Sequence, residues 1–99
     1  MGAQERRSEH RRYERTTVLW SGHLVYREQS VGCIIVNISA GGAMVRADDP
    51  AFVMSPVVLR NSRIGDLIAE VMWRRDDELG LKFVDDPETV AEIIGRALK

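Results

Sequence analysis

Two short sets of polar residues carry the chemistry available to this 99-residue sequence. Arg11 and Arg15 stand four positions apart, with Arg12 between them, just before a long β-like run. Downstream, Asn37 and Ser39 precede Gly41 and Gly42 in a small polar turn between two apolar segments. An arginine fork donates paired hydrogen bonds to phosphate, matches the O6/N7 edge of guanine, and stacks its flat face on a base. A spacing of four puts Arg11 and Arg15 on one side of a turn, or at the two ends of a short extended clamp. Short side chains and glycines at a strand end offer backbone N–H groups and a hydroxyl to a base edge or a phosphate. This is recognition chemistry. A plainer reading stands beside it: arginine repeats are common on solvated surfaces, and Asn37 and Ser39 can cap their own backbone in an ordinary turn.

Bond-making groups are missing. No serine or cysteine has a recognisable base partner. His10 lies within the arginine cluster and reads as a surface histidine. His23 has no Cys or His at metal-ligand spacing, so the sequence predicts no zinc site. Asp48-Asp49 and Asp76-Asp77 read as solvated turns, and Met44, Met54 and Met72 as core. The sequence predicts no enzyme, no metal and no cofactor.

The whole chain carries 14 basic and 15 acidic residues, a formal charge of −1. That balance argues against a general nucleic-acid binder. It conceals an asymmetry: Arg6, Arg7, Arg11, Arg12 and Arg15 crowd the N-terminus, and acidic residues crowd the C-terminal quarter. A basic arm on a neutral body suits a small anionic partner better than a long polyanion. No apolar run approaches the roughly 18 residues that span a bilayer, and no leader-like apolar stretch opens the sequence. The lone Cys33 lies in an apolar strand, where a reduced core thiol is expected. A cytoplasmic protein is the expectation.

Positioning these residues requires a β scaffold. Residues 1–14 are polar and are expected to form a flexible arm, with one domain over 15–99. Strands are predicted over Thr16–Tyr26 (bulged or bent near Gly22), Ser30–Ile38, Ala43–Val45, Pro56–Leu59, Arg63–Trp73 and Leu79–Val84. Alternation in the fifth puts Leu67, Ala69, Val71 and Trp73 on one face. Val90, Ile93, Ile94, Ala97 and Leu98 recur at helical spacing after Asp86-Pro87-Glu88, so a helix is predicted over about 87–97. Six or seven short strands without alternating helices imply a small antiparallel β-barrel, with the helix plugging or flanking one end.

In this order and at this spacing, Arg11 to Arg15 and Asn37 to Gly42 resemble the RxxxR and (D/N)xSxxG signatures of the PilZ domain family. Arg7 to Arg11 also fits RxxxR, but Arg15 runs directly into the first strand, as the family pattern requires. Glu70-Val71-Met72-Trp73-Arg74 resembles the family's late strand ending in tryptophan, and Gly80-Leu81-Lys82-Phe83 its closing Gly-x-x-Phe strand. The resemblance spans almost all of Arg11 to Val84. It implies binding of the second messenger cyclic di-GMP, with contacts from Arg11, Arg15, Asn37, Ser39 and Gly42, and secondary contacts from Arg12 and Trp73. A strand tryptophan is more often core or barrel lining, so Trp73 is secondary among these contacts. Asn37 stands where aspartate is the more frequent family residue, so the carboxylate that would accept from guanine N1–H and N2–H is missing.

The resulting expectation is a monomeric or weakly dimeric cyclic di-GMP receptor. Its arm would order on binding, and its changed surface would signal to a protein effector in trans. Neither DNA, RNA nor membrane insertion is expected. An alternative is a PilZ-like adaptor that binds a protein without nucleotide. A third class, a barrel binding single-stranded nucleic acid, is disfavoured by few aromatics and near-neutral charge.

Overall fold

Alternation of apolar and polar residues gives each strand one face to bury, and six such strands bury theirs by closing on one another. The computed structural model describes residues 14–50 and 53–99. It contains β1 (Thr16–Tyr26), β2 (Gln29–Ile38), β3 (Gly42–Ala47), β4 (Val57–Asn61), β5 (Gly65–Arg75), β6 (Glu78–Phe83) and a helix, α1 (Pro87–Ala97). Neighbouring strands are antiparallel in the order β1-β2-β3-β6-β5-β4, and β4 returns to pair with β1. Closure removes the exposed edges that an open sheet of this size would leave. The predicted barrel is therefore present, with six strands among the described residues. Residues 1–13, which hold Arg11, Arg12 and most of the expected arm, lie outside the described residues.

Inward positions are filled by Leu24, Ile35, Ile38, Val45, Leu59 and Leu79, each almost fully buried. Cys33 is among them, as expected, and its thiol is pushed up to about 12, first by burial and then by the nearby Asp48 charge. Two hairpins turn through residues with left-handed backbones, Arg27 (φ 56°) and Asp76 (φ 56°). A third hairpin is held by the buried Asn61. Its Oδ1 accepts from the N–H of Arg63 (2.7 Å) and Ile64 (3.2 Å), and its Nδ2 donates to the Ser21 carbonyl (2.7 Å).

Helix α1 follows its sequence signals. The Asp86 side chain accepts from the Thr89 N–H (3.1 Å) and Pro87 opens the first turn. Val90, Ile94 and Ala97 join the barrel's own core, so the apolar stripe covers this chain rather than a second copy. Leu98 departs from the stripe, exposed beyond the helix end.

Three register shifts change which way side chains face. One extra residue enters β1 between Thr17 and Trp20, one enters β2 between Ile35 and Asn37, and one enters β5 between Val71 and Trp73. The first lies upstream of Gly22, where the sequence suggested a bend. The third corrects the expected alternation in β5. Leu67 and Ala69 point inward and Val71 is half-buried, but the bulge at Met72 turns Trp73 onto the outer face, 43 % exposed. Because side chains alternate with period two, one inserted residue exchanges the faces of everything after it. Met72 and Met54, expected in the core, are exposed, and Met44 is half-buried.

Candidate ligand-binding site

The site is built on the outer face of β3, β6 and β5. On β6, Leu79, Leu81 and Phe83 are buried, so Gly80 and Lys82 face outward between them. Gly42 of β3 and Glu70 of β5 flank Lys82, while Met44 and Trp73 flank Gly80. The two glycines hold this surface flat for different reasons. A Cβ on Gly42 would lie 2.0 Å from the Leu81 carbonyl oxygen, so only glycine lets β3 lie this close to β6. A Cβ on Gly80 would lie 1.9 Å from Trp73 Nε1. The indole thus lies across the bare backbone of β6, with the rest of its surface open.

Arg15, the described arginine of the first motif, meets the second motif at one end of this face. Arg15 Nη1 donates to Asn37 Oδ1 at 2.8 Å, joining residues far apart in sequence through an exposed contact between neutral amide and guanidinium. The β2 bulge at Val36 sets the phase here: Ile35 and Ile38 both point inward, three positions apart, with Asn37 half-buried between. The turn after Asn37 closes on itself. Ser39 N–H donates to the Gly42 carbonyl (2.8 Å), Gly42 N–H donates to the Ser39 carbonyl (3.3 Å), and Gly41 N–H donates to Ser39 Oγ (3.2 Å). Ser39, 4 % exposed, therefore holds the turn with its hydroxyl, as the plainer reading of that residue expected. The N–H groups of Ser39, Gly41 and Gly42 are all engaged within the loop.

A cavity of about 400 Å³ opens here, lined by Arg15, Ser39, Gly42, Met72, Trp73 and Lys82, among others. Of the residues singled out in the sequence, Arg15, Ser39, Gly42 and Trp73 share this cavity. Asn37 reaches it through Arg15, and Arg11 and Arg12 lie outside the described residues. Met72, Gly80 and Lys82 were not singled out as site residues. A signal for Gly80 and Lys82 does exist: alternation through Leu79, Leu81 and Phe83 places both outside, and counting back from the Asp76-Asp77 turn sets Gly80 opposite Trp73. Met72 had no such signal, because its position depends on the bulge.

Trp73 and Met72 also line a second cavity of about 450 Å³ with Met54, Ser55, Val71 and Arg74. Its polar wall is fixed, since the Arg74 guanidinium donates to the carbonyls of Pro50 and Val53 and Ser55 Oγ accepts from the Val71 N–H. Among the described residues no helix is long and apolar enough to cross a membrane.

Comparison with known proteins agrees with this architecture. The crystal structure of an uncharacterized Legionella protein superposes with a TM-score of 0.61 at 21 % identity, over 85 % of this chain and 92 % of that one. At that identity the likeness concerns the fold. A search among curated proteins finds no significant match. The family model for the PilZ domain matches residues 5–99, which takes in both motifs, the whole barrel and the helix. The chain belongs to the PilZ domain family.

Proposed function

We propose that this chain is a receptor that binds cyclic di-GMP non-covalently on the outer face of its barrel. The observation that carries the reading is the Arg15–Asn37 hydrogen bond, which joins one residue of each motif at the mouth of a cavity that Arg15, Ser39, Gly42 and Trp73 line. In this reading Arg15, with Arg11 and Arg12 from the adjoining segment, holds phosphate and guanine edges through charge-assisted bonds. Trp73 supplies a flat apolar platform for a purine, worth about 1–3 kcal/mol per stacked base. Gly42 keeps the floor flat, and Ser39 fixes the turn beneath. Ligand draws the arginine-bearing segment against the barrel, and the altered surface signals to a protein partner. No step is catalytic.

Calorimetric titration with cyclic di-GMP, beside an Arg11→Ala/Arg15→Ala double variant, tests the proposal. The expected result is micromolar or tighter binding that the double variant loses. An absence of heat at concentrations well above micromolar, from a protein whose fold is verified, refutes it.

One observation favours a second reading, an adaptor that docks a protein without nucleotide. Met54 and Met72 are 53 % and 59 % exposed around the second cavity, an apolar surface beside the first. Failure of the titration would turn attention to that surface.

A further inference from the structure

We propose that Lys82, which neither motif contains, contacts a phosphate of the bound dinucleotide and supplies the site's second fixed cation. The inference rests on the receptor reading above and extends it to a residue on a different strand.

The argument begins with donors. A cyclic dinucleotide carries two phosphodiesters, hence two negative charges and several strong acceptor oxygens. The Asn37–Gly42 turn is poorly placed to satisfy them, because the N–H groups of Ser39, Gly41 and Gly42 already donate within the turn. Among the described residues, the cations lining the cavity are Arg15 and Lys82. Arg15 already commits one nitrogen to Asn37. Lys82 is exposed and faces outward from β6, and no hydrogen bond or ion pair engages its ammonium among the described residues.

Register explains why the ammonium can reach the ligand. Lys82 lies between Gly42 of β3, which has no side chain to cover it, and Glu70 of β5, with which it forms no ion pair among the described residues. It stands two positions along β6 from Gly80, over which Trp73 lies. A purine on the indole would leave its sugar and phosphate over the Gly42–Lys82 pair. Across β3 lies the Arg15–Asn37 contact, so the two cations approach the dinucleotide from different sides. Lysine presents a compact point charge on a long stem, which suits phosphate and reads no base. The contribution is therefore to affinity, equal for cyclic dinucleotides of different bases.

Calorimetry with cyclic di-GMP on the wild type, Lys82→Met and Lys82→Arg provides the test, at ionic strengths of about 0.01 and 0.15 M, where screening lengths differ severalfold. Lys82→Met keeps the stem and removes the charge. It should weaken binding about tenfold at low salt, the order of one charge-assisted hydrogen bond, and flatten the salt dependence. Lys82→Arg should restore most of both. Wild-type binding with an unchanged affinity and salt dependence in Lys82→Met would overturn the assignment of Lys82 while leaving the receptor reading intact. No wild-type binding at all would remove the receptor reading, and this role for Lys82 with it. The side chain is exposed on a strand, so unchanged melting of the variants should accompany either binding result.

Discussion

Substituting Gly80 by alanine should abolish the tryptophan platform without touching the tryptophan. The added Cβ would fall 1.9 Å from Trp73 Nε1 and 2.2 Å from its Cε2. Neither contact is tolerable, and the indole, already 43 % exposed, is the part able to move. Roughly half of an indole-bearing residue's ~250 Å² is covered in place, so at about 25 cal/mol per Å² lifting it off costs at most about 3 kcal/mol. Residual contacts of the displaced ring reduce this to about 1–2 kcal/mol, or a melting point lower by about 5–15 °C for a domain of this size. The binding loss is set separately, by the stacking of one base, about 1–3 kcal/mol or about 5- to 150-fold in affinity for cyclic di-GMP. A calorimetric double-mutant cycle of Gly80→Ala and Trp73→Ala separates the causes. If Gly80 acts only through the indole, each single variant and the double variant should bind with similar affinity. Wild-type affinity in Gly80→Ala, or the same fold-loss from Gly80→Ala in a Trp73→Ala background, would refute the reasoning.

The neighbouring glycine should behave differently: Gly42→Ala places Cβ 2.0 Å from a backbone carbonyl that cannot withdraw without opening β3 from β6. A loss of at least about 3 kcal/mol is expected, seen as a fall of more than about 10 °C in Tm. Asn61→Ala removes three hydrogen bonds to backbone groups at a hairpin. Denaturant titration should show about 2–3 kcal/mol of destabilisation with ligand affinity unchanged. For Cys33 the folded thiol is raised from 9.0 to about 12, so its contribution is fully present below pH 9 and is lost as pH rises towards 12. Denaturation midpoints should fall across that window more in the wild type than in Cys33→Ala. A thiol reagent at pH 8 should modify the native protein only as fast as it opens.

Helix α1 was legible in its bounds and, Leu98 apart, in its buried stripe, because its signals are local: a capping aspartate, a proline and apolar residues within a few turns. The strands were legible almost as well, since alternation and turn residues also lie close in sequence. Predicted and observed bounds agree for β1, and they differ by a residue or two in most other strands. Facing was harder to read. The bulge at Met72 is a relation between β5 and β6, invisible in either strand alone, and it put Trp73, read in the sequence both as barrel lining and as a secondary ligand contact, on the outer face. The motif residues announced Arg15, Ser39 and Gly42. The engagement of the turn's own N–H groups did not show in their spacing, because it depends on how tightly Ser39 folds back on Gly42. Lys82 carried no motif and became visible only once Gly42 was seen opposite it.

Strand β6 writes two messages in alternate letters. Leu79, Leu81 and Phe83 speak only to the interior, and Gly80 and Lys82 only to the exterior. Neither set constrains the other, because adjacent side chains on a strand never share a face. Lys82 can therefore be rewritten to tune affinity while the interior letters keep the barrel shut, whereas Gly80 must stay bare for Trp73 to lie over it. Gly42 is the exception on the neighbouring strand, since its missing side chain serves both messages at once. A search for variants with altered ligand range should hold Gly42 fixed and vary positions 82, 72 and 73.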